Sequence, residues 1–265
     1  MGEHSIPLSF INLLQTCQDK NECIKLFNRV VLYDCNSHNM LFYVNTDLFS
    51  IEDYKEICEA SIKLNVMSIQ FVKRDILSLE DYKELCWVGI RKNIECYFYL
   101  DHNYILSVEF KKMSLEVISQ KEDYFKYVLH VYPNLNFNDY AEICKYAIFR
   151  YNNVLMYVNV SNLKQKDYLD LCINSVEQYP SSISDVILSA ISNDDYKIIC
   201  LIGIKYNCDV GKIKGEYLKR IDYFGICCMA VNRRPSAFHE VQMNLLSFNQ
   251  RRRLFFRFIQ SFIKN

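Results

Sequence analysis

The pair Asp-Tyr recurs along the chain at Asp53-Tyr54, Asp81-Tyr82, Asp139-Tyr140, Asp167-Tyr168, Asp195-Tyr196 and Asp222-Tyr223. A cysteine follows each tyrosine four residues later, at Cys58, Cys86, Cys144, Cys172, Cys200 and Cys227. The tyrosines are spaced by 28, 58, 28, 28 and 27 residues, and the wide gap is two periods with a two-residue insertion. A missing unit is therefore expected near position 110. Glu109-Phe110 stands there, followed by Met113, Ser114, Val117 and Ile118 at the expected offsets. A weaker leading unit fits Cys23, Leu26, Phe27, Val30 and Val31 into the same slots. A unit this short cannot bury an apolar face alone, so neighbouring units must stack into one core.

Within a unit the apolar residues fall at i, i+3, i+4, i+7 and i+8, as in Tyr54, Ile57, Cys58, Ser61 and Ile62, which is one face of an α-helix. The aspartate before each tyrosine suits an N-cap or first-turn acid, and Asn65, Asn93 and Asn207 suit a helix stop. A branched residue stands nine positions before Asp53, Asp81, Glu109, Asp167, Asp195 and Asp222: Val44, Val72, Leu100, Val158, Val186 and Ile213. The spacings Leu41, Val44, Leu48 and Ile69, Val72, Ile76 predict a second helix of two to three turns, with a strand over residues 41–44 as the alternative. A small residue recurs at Ser61, Gly89, Ala147, Ser175, Gly203 and Ala230, where helices would approach most closely. The segment from Phe238 to Lys264 leaves the motif, and its Leu245, Leu246, Leu254, Phe255, Phe258 and Phe262 predict a capping helix or helix pair.

The expected fold is all-α: a right-handed α-solenoid of about seven 28-residue two-helix repeats with a C-terminal capping helix. Residues 1–231 form the array, with the leading unit at 20–50 and clearer repeats over 53–231, and 232–265 form a basic amphipathic cap. Composition agrees, since 51% apolar residues supply a core while six glycines and four prolines leave little for β-turns or a phosphate-cradling loop. Thirty-one basic and thirty-one acidic side chains cancel, so no long-range field favours nucleic acid or an anionic surface. No apolar run reaches the roughly 20 residues that span a bilayer, and no secretory leader is visible. An intracellular, reducing location is expected, so the in-register cysteines read as small buried core residues rather than disulfides.

The unit of tyrosine or leucine, cysteine, small residue and branched residue, then Asn and a short Leu-x-x-Val cluster, resembles a tandem helical repeat family of unknown function. That family is found in giant viruses of amoebae, of the mimivirus type, and in some bacteria. Tyr54 to Asn93 carries the resemblance best, and residues 23–231 share it. The wealth of Tyr, Asn, Ile and Lys is similar to that of proteins from AT-rich viral genomes. The resemblance implies a viral protein in the host cytoplasm and supplies no catalytic residue.

Candidate chemistry is sparse. No Cys-x-x-Cys occurs, and His4, His38, His102, His130 and His239 lack ligand spacing, so no metal or other cofactor is expected. Gly-x-Gly-x-x-Gly, Walker, Gly-x-Ser-x-Gly and His-Glu-x-x-His motifs are absent. His239-Glu240 reads as a surface dipeptide rather than an acid/base dyad, and Glu52, Asp53, Glu56 and Glu59 as a solvated helical face. The local basic feature is Arg233, Arg234, Arg251, Arg252, Arg253 and Arg257, interleaved with Phe255, Phe256 and Phe258. It could meet RNA, anionic lipid or an acidic protein, or form a cap whose arginines face water while the phenylalanines seal the last repeat. One tyrosine per unit could form a base-stacking ladder, but its place among Ile and Cys favours packing. The expected function is a non-catalytic protein–protein interaction scaffold, with nucleic-acid binding through the arginines as the alternative. Docking helices for a host degradation machine within residues 5–30 are a further alternative.

Overall fold

The computed structural model describes residues 12, 16, 17, 19, 21–26, 40–130 and 135–264. Phe27, Val30 and Val31 of the leading unit, His4, His38 and most of residues 5–30 lie outside them. Every element is an α- or 3₁₀-helix, and no strand occurs among the described residues. The fold is all-α. The chain divides into two compact units, one ending at Gln120 and the other starting at Lys121.

In the first unit a short helix α1 (Met40–Tyr43) precedes three 14-residue helices, α2 (Ile51–Leu64), α3 (Leu79–Lys92) and α4 (Ser107–Gln120). The second unit holds α5 (Tyr124–His130), α6 (Phe137–Arg150), α7 (Gln165–Gln178), α8 (Asn193–Lys205), α9 (Arg220–Arg233) and α10 (Phe248–Lys264). Short 3₁₀ turns fill most connections, such as Val66–Phe71 between α2 and α3 and Pro180–Asp185 between α7 and α8. Within each unit successive long helices pack side by side, and successive 3₁₀ segments pack against each other. The strand alternative at residues 41–44 fails, because α1 is helical.

The five apolar slots are buried in α2 to α4 and α6 to α9, for example Tyr54, Ile57, Cys58, Ser61 and Ile62 in α2, or Tyr196, Ile199, Cys200, Gly203 and Ile204 in α8. The aspartate lies at N3 rather than at the cap. Ser50, Ser78, Asn136 and Ser192 are the N-caps, each accepting the N–H of the aspartate three residues on. In α2 and α8 the aspartate carboxylate also accepts the cap residue's amide, closing a capping box. Asn65 and Asn93 end their helices in extended conformation, not the left-handed one, and their side chains cap the following 3₁₀ turn. Asn207 does take the left-handed form, with φ 67°.

Outside α1 and α5, the expected second α-helix is instead one or two 3₁₀ segments. Three residues complete a 3₁₀ turn, so apolar residues three apart share one face. The buried pairs are Ile69 and Val72, Leu155 and Val158, Ile183 and Val186, Val210 and Ile213. The second member of each pair is extended, as at Val72 (φ −64°, ψ 125°) and Val186 (φ −63°, ψ 125°), which stops helical bonding there. The next backbone N–H turns instead to the helix tyrosine. Tyr54 Oη accepts from Lys73 N at 2.9 Å, Tyr82 from Asp101 at 3.0 Å and Tyr140 from Asn159 at 2.8 Å. Tyr168 accepts from Ile187 at 2.8 Å, Tyr196 from Lys214 at 2.8 Å and Tyr223 from Gln242 at 3.0 Å. Each tyrosine thus ties its helix to the connection that follows.

The residue after the branched position also reaches one period back. Lys73 Nζ donates to Val44 O at 2.9 Å, and Gln242 Nε2 to Ile213 O at 3.2 Å. At position 110 phenylalanine brings no hydroxyl. Tyr97 stacks on Phe110 with ring centroids 5.5 Å apart, and its hydroxyl lies 2.7 Å from Ser114 Oγ. The segment one connection later, Tyr124–His130, is the α-helix α5 rather than a 3₁₀ turn.

Candidate functional site

Between the fixed slots, the position five residues after the first aromatic of each unit varies: Glu59, Trp87, Leu115, Lys145, Ile173 and Leu201 are half-buried or exposed, and Cys228 is buried. Packing fixes one face of the helix and leaves this one to change. In the first unit it borders an open groove of about 360 Å³ between α2 and α3. Leu85 and Val88 give it an apolar floor, with Trp87 and Arg91 on one side and Lys55 and Glu59 on the other. Trp87 is the chain's single tryptophan.

The groove is held by charge. Lys55 Nζ lies 2.7 Å from Asp81 and 2.5 Å from Glu84, crossing from α2 to α3. The hydrogen bonds it donates to Asp81 and then Glu84 hold the Lys55 ammonium well above its usual titration range, and Lys55 in turn holds the Asp81 carboxyl below its own. Lys197 repeats this bridge to Asp222 at 2.7 Å in the second unit. Trp87 Nε1 points at Glu109 Oε2 at 3.5 Å, while the Arg91 guanidinium sits 5.8 Å from the indole centroid. One aromatic anchor, an arginine, an apolar floor and a charged rim are the side-chain mixture of protein-binding hot spots. No serine, threonine, cysteine or histidine lines the groove.

The described cysteines are all buried thiols. Burial pushes Cys58, Cys144, Cys172 and Cys200 up to about 12, so they are protonated at neutral pH and poor nucleophiles. The tyrosine series is fully buried, and its hydroxyls are engaged by backbone, which leaves no ring for base stacking. Among the described residues no group of three His, Cys, Asp or Glu lies together as a metal site would require. His102 packs against Phe110 and Tyr97, His130 ends α5, and Glu240 is taken by Arg234 at 2.6 Å rather than by His239. Asp53 belongs to the α2 capping box and Glu59 pairs with Lys63 at 2.5 Å, while Glu52 and Glu56 are exposed.

The arginines of the C-terminal region separate into two groups. Arg233 donates to Lys205 O at 2.9 Å, Arg234 pairs with Glu240, and Arg251 Nε donates to Leu246 O at 3.0 Å. Arg252, Arg253 and Arg257 project from α10 into solvent. The phenylalanines do not all seal the end of the chain. Phe258 stacks on Phe238 with centroids 4.5 Å apart, whereas Phe255 and Phe256 are 48% and 51% exposed. On a 100° wheel, Leu254 and Phe258 share the packed face, and Phe256 lies on the far side of the helix.

The groove at Trp87 did not emerge from the repeat, because the slots that announce the period are by construction the buried ones. A single tryptophan outside those slots was the available signal. No helix among the described residues is long and apolar enough to cross a membrane. No protein-family model and no curated protein matches the chain.

Proposed function

We propose that the chain is a non-catalytic protein-binding scaffold, a right-handed α-solenoid of about seven 28-residue units closed by α10. The neighbour-to-neighbour packing of helices within each unit and the recurring tyrosine tie support this architecture. In it the core slots stay constant while outward positions are open to partner-specific residues. The half-exposed Trp87, braced by Arg91 and Glu109 in an open groove, carries the binding reading. The Tyr-, Asn-, Ile- and Lys-rich sequence favours a giant-virus source, with a host or virion protein as the partner.

The test is an affinity capture from host lysate with the intact chain and its Trp87→Ala variant, each with and without nuclease. A protein retained after nuclease by the parent and lost by Trp87→Ala supports the scaffold. Retention that disappears with nuclease and ignores Trp87 would replace it with nucleic-acid binding through Arg252, Arg253 and Arg257.

A further inference from the structure

We infer that α10 is an interfacial helix that lies on an anionic lipid surface. The helix runs 17 residues, about 25 Å, and its sequence contains four arginines, a lysine and no acidic residue. It is anchored along one narrow face: Leu254 is fully buried, and Phe258 stacks on Phe238. Away from that face Phe248, Phe256, Ile259 and Ile263 are exposed, Phe248 and Ile263 by more than three quarters, and the half-exposed Phe255 borders it, its ring 6.0 Å from that of Phe238. At 100° per residue these five fall in a sector roughly 100° wide that runs from the first turn to the last. Arg251 and Arg253 flank the stripe on either side, and Arg252 lies within it, its guanidinium 5.7 Å from the Phe256 ring.

An occupant must take both the charge and the apolar ridge. A second copy of the chain would set two acid-free helices face to face, and their like charges would repel. Nucleic acid answers the arginines but would bury Ile259 and Ile263 against phosphates. A bed of anionic headgroups over hydrocarbon accepts both at once: the phenyl and isoleucyl side chains enter the acyl boundary while the arginines reach the headgroups. A ridge, unlike a pocket, needs no shaped counterpart.

The test is sedimentation of the intact protein with phosphatidylcholine vesicles that contain or lack phosphatidylserine. The parent should sediment with the anionic vesicles, less so as salt rises, and remain in solution with the neutral ones. Phe256→Ser with Ile263→Ser changes two outward side chains, so the melting temperature should hold while vesicle binding drops at least about tenfold. Arg252→Gln with Arg253→Gln should weaken it about fivefold per arginine. Absence of sedimentation with anionic vesicles, or sedimentation that Phe256→Ser/Ile263→Ser leaves intact, overturns the proposal. If either result comes with retention of a single-stranded RNA, or with a dimer that the apolar variant dissolves, the stripe belongs to that occupant instead.

Discussion

Each tyrosine of the series fills the core with its ring and takes a backbone amide hydrogen with its hydroxyl oxygen. Removing only the oxygen separates the two roles. In Tyr168→Phe the ring stays, but the Ile187 N–H, 2.8 Å from the hydroxyl, loses its acceptor in a partly buried place. Leaving such a group unsatisfied costs about 1–3 kcal/mol, so chemical denaturation should show a loss of that size with little change in the denaturant slope. The glycines give a contrast of opposite sign. A Cβ at Gly89 would run into Cys96 Sγ and press on Ile62, whereas at Gly225 nothing lies within 4 Å. Gly225→Ala, inside α9, should therefore stabilise by about 0.5–1 kcal/mol, and Gly89→Ala should destabilise. His102 adds a dependence on pH. Burial among Phe110 and Tyr97, opposed by the Asp101 charge, lowers its pKa from 6.5 to about 4. The folded chain then resists a proton that the unfolded chain accepts, so this contribution is intact above pH 6.5 and is lost as pH falls from 6.5 toward 4. The melting temperature should decline across that window, and His102→Gln should flatten the decline.

At the level of elements, the helix starts differ in one replaceable way. Ser50, Ser78, Asn136 and Ser192 cap their helices through the side chain, while Lys164 and Lys219 make no such bond. Asp167 already stands at N3 of α7, so Lys164→Ser should complete a capping box. The expected gain is about 1 kcal/mol, read as a raised denaturation midpoint. The long helices were legible in the sequence because their i, i+3, i+4, i+7, i+8 pattern is long and unambiguous, and the five buried slots of α2 to α4 and α6 to α9 follow it. The 3₁₀ connections were not, because two apolar residues three apart fit an α-helix and a 3₁₀ turn equally well. What separates them is a long-range bond, the tyrosine hydroxyl 18 or 19 residues earlier, which leaves no local pattern. Of the two places open to the aspartate, the first-turn one holds, and Ser50 and Ser192 look like ordinary linker residues until the N3 aspartate is seen to return their bond. The Trp87 groove was hidden because the side chains that distinguish it, Trp87 and Arg91, stand outside the core slots that announce the period.

Over the whole molecule, the array we propose predicts how a disturbance spreads. When each unit touches only its neighbours, stability is a sum of local and nearest-neighbour terms, and a local loss cannot be averaged over the chain. In the second unit α8 packs against α7 on one side and α9 on the other. Tyr196→Phe deprives the Lys214 N–H of its acceptor and loosens α8 from the connection that follows. Native-state hydrogen exchange should then accelerate in α8 and, to a smaller degree, in α7 and α9, while amides of α2 and α3 keep the protection they have in the parent. The variant removes one oxygen from a fully buried ring, so the native fold should persist, and the comparison can be made amide by amide. A uniform loss of protection from α2 to α9 would mean that the chain unfolds as one cooperative body, and the nearest-neighbour account would fail. A response confined to α7, α8 and α9 would also identify Tyr196 as a place where this unit can be tuned without touching the Trp87 groove, since that groove draws all its lining residues from the first unit.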